Sequence, residues 1–150
     1  MSESKFTVDK DNLEVRIEKI FNCTPERLWQ AHTDPSDIEK WWSGTKVEIF
    51  ELKVGGKWRF IGTDDNSNNN FRGEFLELNK PNKITRTFEY EPMAGHVMEE
   101  TVTFEALPDG KTKQSTISKY SNLDDLNGMV NSGMEYGAKL GLERLAKVVE

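Results

Sequence analysis

Cysteine is almost missing from the 150 residues: Cys23 stands alone, so no internal disulfide can form. A lone cysteine beside an apolar strand reads as a small buried hydrophobe. Histidine is nearly as scarce, with only His32 and His96. Scattered like this, two histidines and one cysteine make no zinc pattern. His32 lies on a short amphipathic helix and His96 in a turn beside Gly95, and both are expected at the surface rather than as catalytic bases. No apolar run approaches the roughly 20 residues that cross a bilayer. The polar start "MSESKFTVDKDN" carries no apolar signal segment. Membrane insertion is thereby excluded, and a cytoplasmic location is expected. Positive charge is in deficit, 20 Lys and Arg against 26 Asp and Glu for a net charge of -6, with no basic stripe, which excludes nucleic acid and anionic membrane surfaces as partners. No glycine-rich loop opens a helix to cradle phosphate, since Gly55–Gly56 leads into a strand. Glu99 and Glu100 are strand neighbours on opposite faces and cannot act as one carboxylate pair. Asp64–Asp65 begin the polar insert "TDDNSNNN", which reads as a mobile loop. No catalytic set, no metal site and no cofactor is expected.

What is present reads as one domain over residues 1–150, with 1–11 a flexible N-terminal segment. "LEVRIEKIF" alternates for most of its length and is a strand. In "TPERLWQAH" Thr24 caps a short helix, Pro25 fits its first position and Glu26 suits its positive end. "DPSDIEKWW" repeats the device with Asp34, Pro35 and Asp37, and ends near Trp41–Trp42. From Lys46 to Tyr120 strand-like runs are separated by short turns at "VGG", "KPNK" and "PDG", so neighbours must pair antiparallel. The last segment, Asp124 to Val149, reads as one helix, roughly 39 Å long at about 1.5 Å per residue.

That helix contains "SGMEYGAKLG", in which Gly133, Gly137 and Gly141 recur every fourth residue. Each glycine in a helix interior costs about 1 kcal/mol against alanine. Transmembrane dimerisation is untenable beside Lys139, Glu143 and Arg144. Two explanations stay open: close approach of the helix backbone to the sheet, or an empty volume beneath a stretch without side chains, where a ligand could sit. The aromatic faces bear on that choice. Trp58 and Phe60 share one strand face, as do Phe88 and Tyr90, and Phe75 shares that of Phe71. Met98 and Val102 share another. Trp41, Trp42, Met129 and Met134 add bulk. Arg86 falls on the face of Phe88, and Glu100 on that of Val102, positions a dry core would not welcome.

Together, "FNCTPERLWQAHTDPSDIEKWW", "LKVGGKWRF", "FRGEFLEL", "TVTFEAL" and "SGMEYGAKLGLERLAKVV" resemble, in order and spacing, single-domain proteins related to the C-terminal domain of the activator of heat-shock-chaperone ATPase. This family belongs to the START-like, or birch-pollen-allergen-like, superfamily. The resemblance implies an α+β helix-grip fold: a curved antiparallel sheet of about six or seven strands wrapped around a long C-terminal helix, with two short helices after the first strand. It also implies a cavity between sheet and helix for an apolar or lipid-like small molecule. Gly133, Met134 and Gly137 match the family pattern. Ala138 stands where relatives often carry a tryptophan, and Gly141 where they carry serine or alanine. The expected ligand-contacting residues are Trp42, Trp58, Phe60, Phe75, Arg86, Phe88 and Tyr90 from the first part of the chain. Met98, Val102, Met129, Gly133, Met134, Gly137 and Gly141 complete the set. Two other roles are implied: a chaperone-accessory interaction module, and a cavity enzyme of cyclase or hydrolase type using Arg86, Tyr90 and Glu100; the protein itself is expected as a monomer or homodimer.

Overall fold

The computed structural model describes residues 3–63 and 69–150. Asp64–Asp65 and most of the polar insert lie outside the described residues. Eight strands follow the chain as β1 (Lys5–Asp9), β2 (Glu14–Phe21), β3 (Thr45–Phe50), β4 (Lys57–Gly62), β5 (Phe71–Asn79), β6 (Lys83–Tyr90), β7 (Met98–Ala106) and β8 (Thr112–Lys119). They form one antiparallel sheet in the order β1-β2-β8-β7-β6-β5-β4-β3, one strand more than the upper end of the six or seven expected. Between β2 and β3 come two short helices, α1 (Pro25–Thr33) and α2 (Pro35–Trp41). Because β2 lies beside one edge and β3 forms the other, these helices carry the chain across the sheet. Register shifts between Val47 and Ile49, and between Phe75 and Glu77, add the local twist that bends strands and contribute to the curvature of the sheet.

The caps sit where the sequence predicts. Arg27 N donates to Thr24 Oγ1 at 3.2 Å, and Ser36 N to Asp34 Oδ1 at 3.0 Å. Asp37 is buried. Arg27 Nη1 donates to Asp37 Oδ2 (2.8 Å) and Nη2 to the Val148 carbonyl (3.1 Å), so one guanidinium ties α1 and α2 to the end of the chain.

Two expectations need correction. The N-terminal segment is not free: Lys5–Asp9 pairs with β2 from Lys5↔Glu18 to Asp9↔Glu14. Phe6 and Val8 pack against the core, and Asp9 closes the turn by accepting from Asn12 N at 3.1 Å. The C-terminal segment is not one helix but two, α3 (Leu123–Asn131) and α4 (Met134–Val149). Gly133 joins them at φ +89°, a left-handed conformation that cannot continue a right-handed helix. It is a breaker and not a helix-interior glycine. Asn122 caps α3, its Oδ1 accepting from Asp125 N at 2.8 Å. The break resets the phase of the second helix. Leu142, Leu145, Ala146 and Val149 are the buried residues of α4, whereas Leu140 and Val148 are only half-buried.

Candidate functional site

Strand alternation decides what faces α4. On β2 the buried positions are Val15, Ile17, Lys19 and Phe21, and on β6 they include Ile84, Arg86 and Phe88. Met98, Val102 and Phe104 do the same for β7. On β8, Thr112, Gln114 and Ser118 are buried and Thr116 lies on the same face. The inward face of that strand therefore carries hydroxyls and an amide, with no aliphatic side chain. Ser118 pairs with Glu100, and Glu100 with Arg86, so a polar row runs across three strands under the helix.

Between this face, α4 and the chain after α2 lies a cavity of about 380 Å³. Ile17, Val102, Arg86, Glu100, Gln114 and Thr116 line it from the sheet; Gly137, Ala138, Gly141, Leu142 and Arg144 from α4; His32, Trp41 and Trp42 from the short helices and their end. A Cβ built on Gly137 or Gly141 meets nothing within 4 Å. Close packing therefore does not explain these two glycines; there is space beside both. Gly73 shows the opposite case. A Cβ there would lie 2.0 Å from the Thr87 carbonyl oxygen and 2.6 Å from Trp58 Nε1, so the indole packs where only a glycine leaves room.

Of the expected ligand-contacting residues, Trp42, Arg86, Val102, Gly137 and Gly141 line the cavity. The others lie elsewhere. Trp58, Phe60 and Phe75 are fully buried in the core. Phe88 stacks among Trp58, Phe71 and Trp42, with ring centroids 5.4, 5.3 and 6.0 Å away. Met98 is a buried core residue at the start of β7. Tyr90 turns its hydroxyl to Asn69 Oδ1 at 2.6 Å. Met129 packs against the core, Gly133 forms the helix junction, and Met134 Sδ accepts from the Tyr120 hydroxyl at 3.6 Å.

Sequence reasoning misses several lining residues. His32 is the sharpest correction, because it lies inside rather than at the surface. Its Nε2 donates to Gln114 Oε1 at 2.9 Å, and its ring contacts Trp41 and Phe104 at 5.0 and 5.2 Å. Burial drives its pKa down to about 4, with the charge of Arg86 adding to the shift against the Gln114 hydrogen bond, so the imidazole is neutral at pH 7. Gln114 and Thr116 have a legible signal in "KTKQSTISK", a strand whose inward positions are all polar. Arg144 has none beyond its spacing, seven residues after Gly137.

Arg86 and Glu100 hold each other at the site. Arg86 is only 8% exposed. Its Nε donates to Glu100 Oε1 at 3.0 Å, and its guanidinium carbon lies 4.4 Å from the Trp58 ring centroid, within cation–π range. Burial pushes the Tyr120 hydroxyl up to about 12 and the Cys23 thiol up to about 11; Cys23 therefore stays a protonated, half-buried thiol, as its apolar neighbourhood predicts. Among the described residues no three of His, Cys, Asp and Glu gather where they could hold a metal, and no helix is long and apolar enough to cross a membrane.

Solved structures share this architecture. A protein from Mycobacterium smegmatis superposes with TM-score 0.83 at 23% identity, over 96% of this chain and 95% of that one. One from Arthrobacter aurescens gives 0.82 at 25% identity, over 97% and 90%. An HSP90 activator from Plasmodium falciparum gives 0.64 at 25% identity, over 83% and 89%. The sequence has no match among curated proteins. The model of the Activator of Hsp90 ATPase homolog 1-like protein family matches residues 22–150, and the chain belongs to that family.

Proposed function

We propose that this protein binds a small molecule with an apolar body in the cavity between the sheet and α4. What supports the reading is the empty space beside Gly137 and Gly141, which no close contact with the sheet requires. Helix propensity argues for alanine at both positions, so the volume itself is what the glycines provide. A cavity of about 380 Å³ falls in the range of small-ligand sites, and Trp41, Trp42, Val102 and Leu142 give it apolar walls. The neutral fluorophore N-phenyl-1-naphthylamine tests the proposal. Saturable 1:1 binding is expected, weakened at least tenfold in Gly141→Leu, whose side chain would occupy the space. Absence of saturable binding, or equal binding by the folded variant, would remove the reading.

A second role, as a chaperone accessory, rests on the family and on the similarity to the Plasmodium HSP90 activator. Stimulation of an Hsp90 ATPase by the purified protein tests it, and a flat response at saturating concentration would reject it.

A further inference from the structure

We propose that the cavity holds its guest by a single carboxylate, taken by the free end of the Arg86 guanidinium, with Arg144 adding attraction from α4. This rests on the small-molecule reading and names the chemical class of the guest.

The first support is the state of Arg86. It is 8% exposed, yet only its Nε has an acceptor, Glu100 Oε1 at 3.0 Å. Among the described residues its Nη1 and Nη2 have none, and both belong to a side chain that lines the cavity. Among the described residues the buried side-chain atom without a partner is Trp58 Nε1, so the Arg86 nitrogens are open to the cavity, and an arginine with one open end matches a planar, two-oxygen anion. The guanidinium is also held in place. Trp58 lies 4.4 Å from its central carbon, with Phe88 at 5.6 Å and Phe60 at 5.8 Å. Glu100 fixes the remaining edge, so little side-chain freedom is left to lose on binding.

The second support is charge. Among the described residues, the charged ones lining the cavity are Arg86, Arg144 and Glu100, two positive and one negative, a net of +1 inside a chain whose total is -6. Arg144 has no ion-pair partner among the described residues, where the one salt bridge of α4 joins Lys139 to Glu135. A monoanion balances the lining. A dianion would leave excess negative charge beside Glu100. Two neutral lining groups, His32 and Gln114, bond each other at 2.9 Å.

Calorimetric titration at pH 7.5 with 2-naphthoic acid, 2-naphthamide and 2-naphthyl phosphate tests this. The acid should bind at least tenfold more tightly than the amide and more tightly than the phosphate. Arg86→Gln should cost the acid tenfold or more and change the amide less than twofold. That variant leaves Glu100 buried without its cation, so Arg86→Gln/Glu100→Gln, which removes both charges, provides the same reading if the single variant does not fold. Arg144→Gln should weaken the acid by a smaller factor that shrinks as salt is raised. Equal affinity for acid and amide would overturn the carboxylate subsite while leaving the cavity reading intact. Survival of the acid's advantage in the double variant, or tighter binding of the phosphate, would also overturn it. Failure of all three probes to bind would remove both.

Discussion

Replacing Gly137 and Gly141 together by alanine should stabilise the protein. Neither position has a positive φ, and a Cβ at either meets nothing within 4 Å. Gly141 lies well inside α4 and should return about 1 kcal/mol, the usual glycine-to-alanine difference in a helix interior. Gly137 is in the first turn, its N–H bonded to the Gly133 carbonyl at 3.1 Å, and should return roughly half as much. The sum, about 1.5 kcal/mol, corresponds to a rise in Tm of about 3–6 °C for a domain of this length. Two sister variants give the opposite sign for separate reasons. Gly133→Ala must hold a side chain at φ +89° and should lose about 1 kcal/mol. Gly73→Ala places a methyl 2.0 Å from the Thr87 oxygen and should lose about 1–3 kcal/mol. Differential scanning calorimetry of the three variants reads all of this directly. A Tm below wild type for the double alanine variant would mean that the helix glycines serve contact and not space, and the cavity reading would lose its footing.

His32 should make stability depend on pH in a window of its own. Its pKa is lowered to about 4 in the folded chain from an ordinary 6.5, so the unfolded chain binds the extra proton and stability falls as pH drops from about 6.5 toward 4. By linkage the loss between pH 7 and pH 4.5 is about 2–3 kcal/mol; urea denaturation at the two values should show it in wild type and largely without it in His32→Gln, and an unchanged slope in that variant would refute the assignment. Arg27→Leu removes the donors to Asp37 and to the Val148 carbonyl, leaving a buried carboxylate with Lys40 at 3.6 Å. A loss of about 2 kcal/mol is expected in chemical denaturation, and a loss below about 0.5 kcal/mol would show that surrounding solvent replaces the link.

Much of the architecture can be read from the chain because it is written in local chemistry. Thr24–Pro25 and Asp34–Pro35 announce two helix starts. "VGG" and "PDG" announce turns too short for anything but antiparallel neighbours. The first strand is obscured because Phe6 and Val8 are its only inward apolar residues, and their partner lies across the Asp9–Asn12 turn. The helix break is obscured because glycine at a four-residue spacing mimics a face; only the sign of φ at Gly133 separates a breaker from a bare patch. The site is harder. Trp58, Phe60, Phe75 and Phe88 read as a cavity wall because alternation gives the face of a strand but not the depth at which the helix stops. Trp58, Phe60 and Phe88 pack together and under Arg86 instead, and Phe75 packs on Phe50. His32 reads as a surface group because its partners, Gln114 and Phe104, are more than seventy residues away in the chain.

The left-handed joint at Gly133 also changes how this sequence tolerates insertion. In an unbroken α-helix one added residue swings everything downstream by about 100°, which here would carry the bare patch and Arg144 away from their post. Since the turn at Ser132–Gly133 belongs to neither cylinder, an extra residue can be swallowed there as loop. The side of the final cylinder that carries Gly137, Gly141 and Arg144 would then keep its facing toward the sheet.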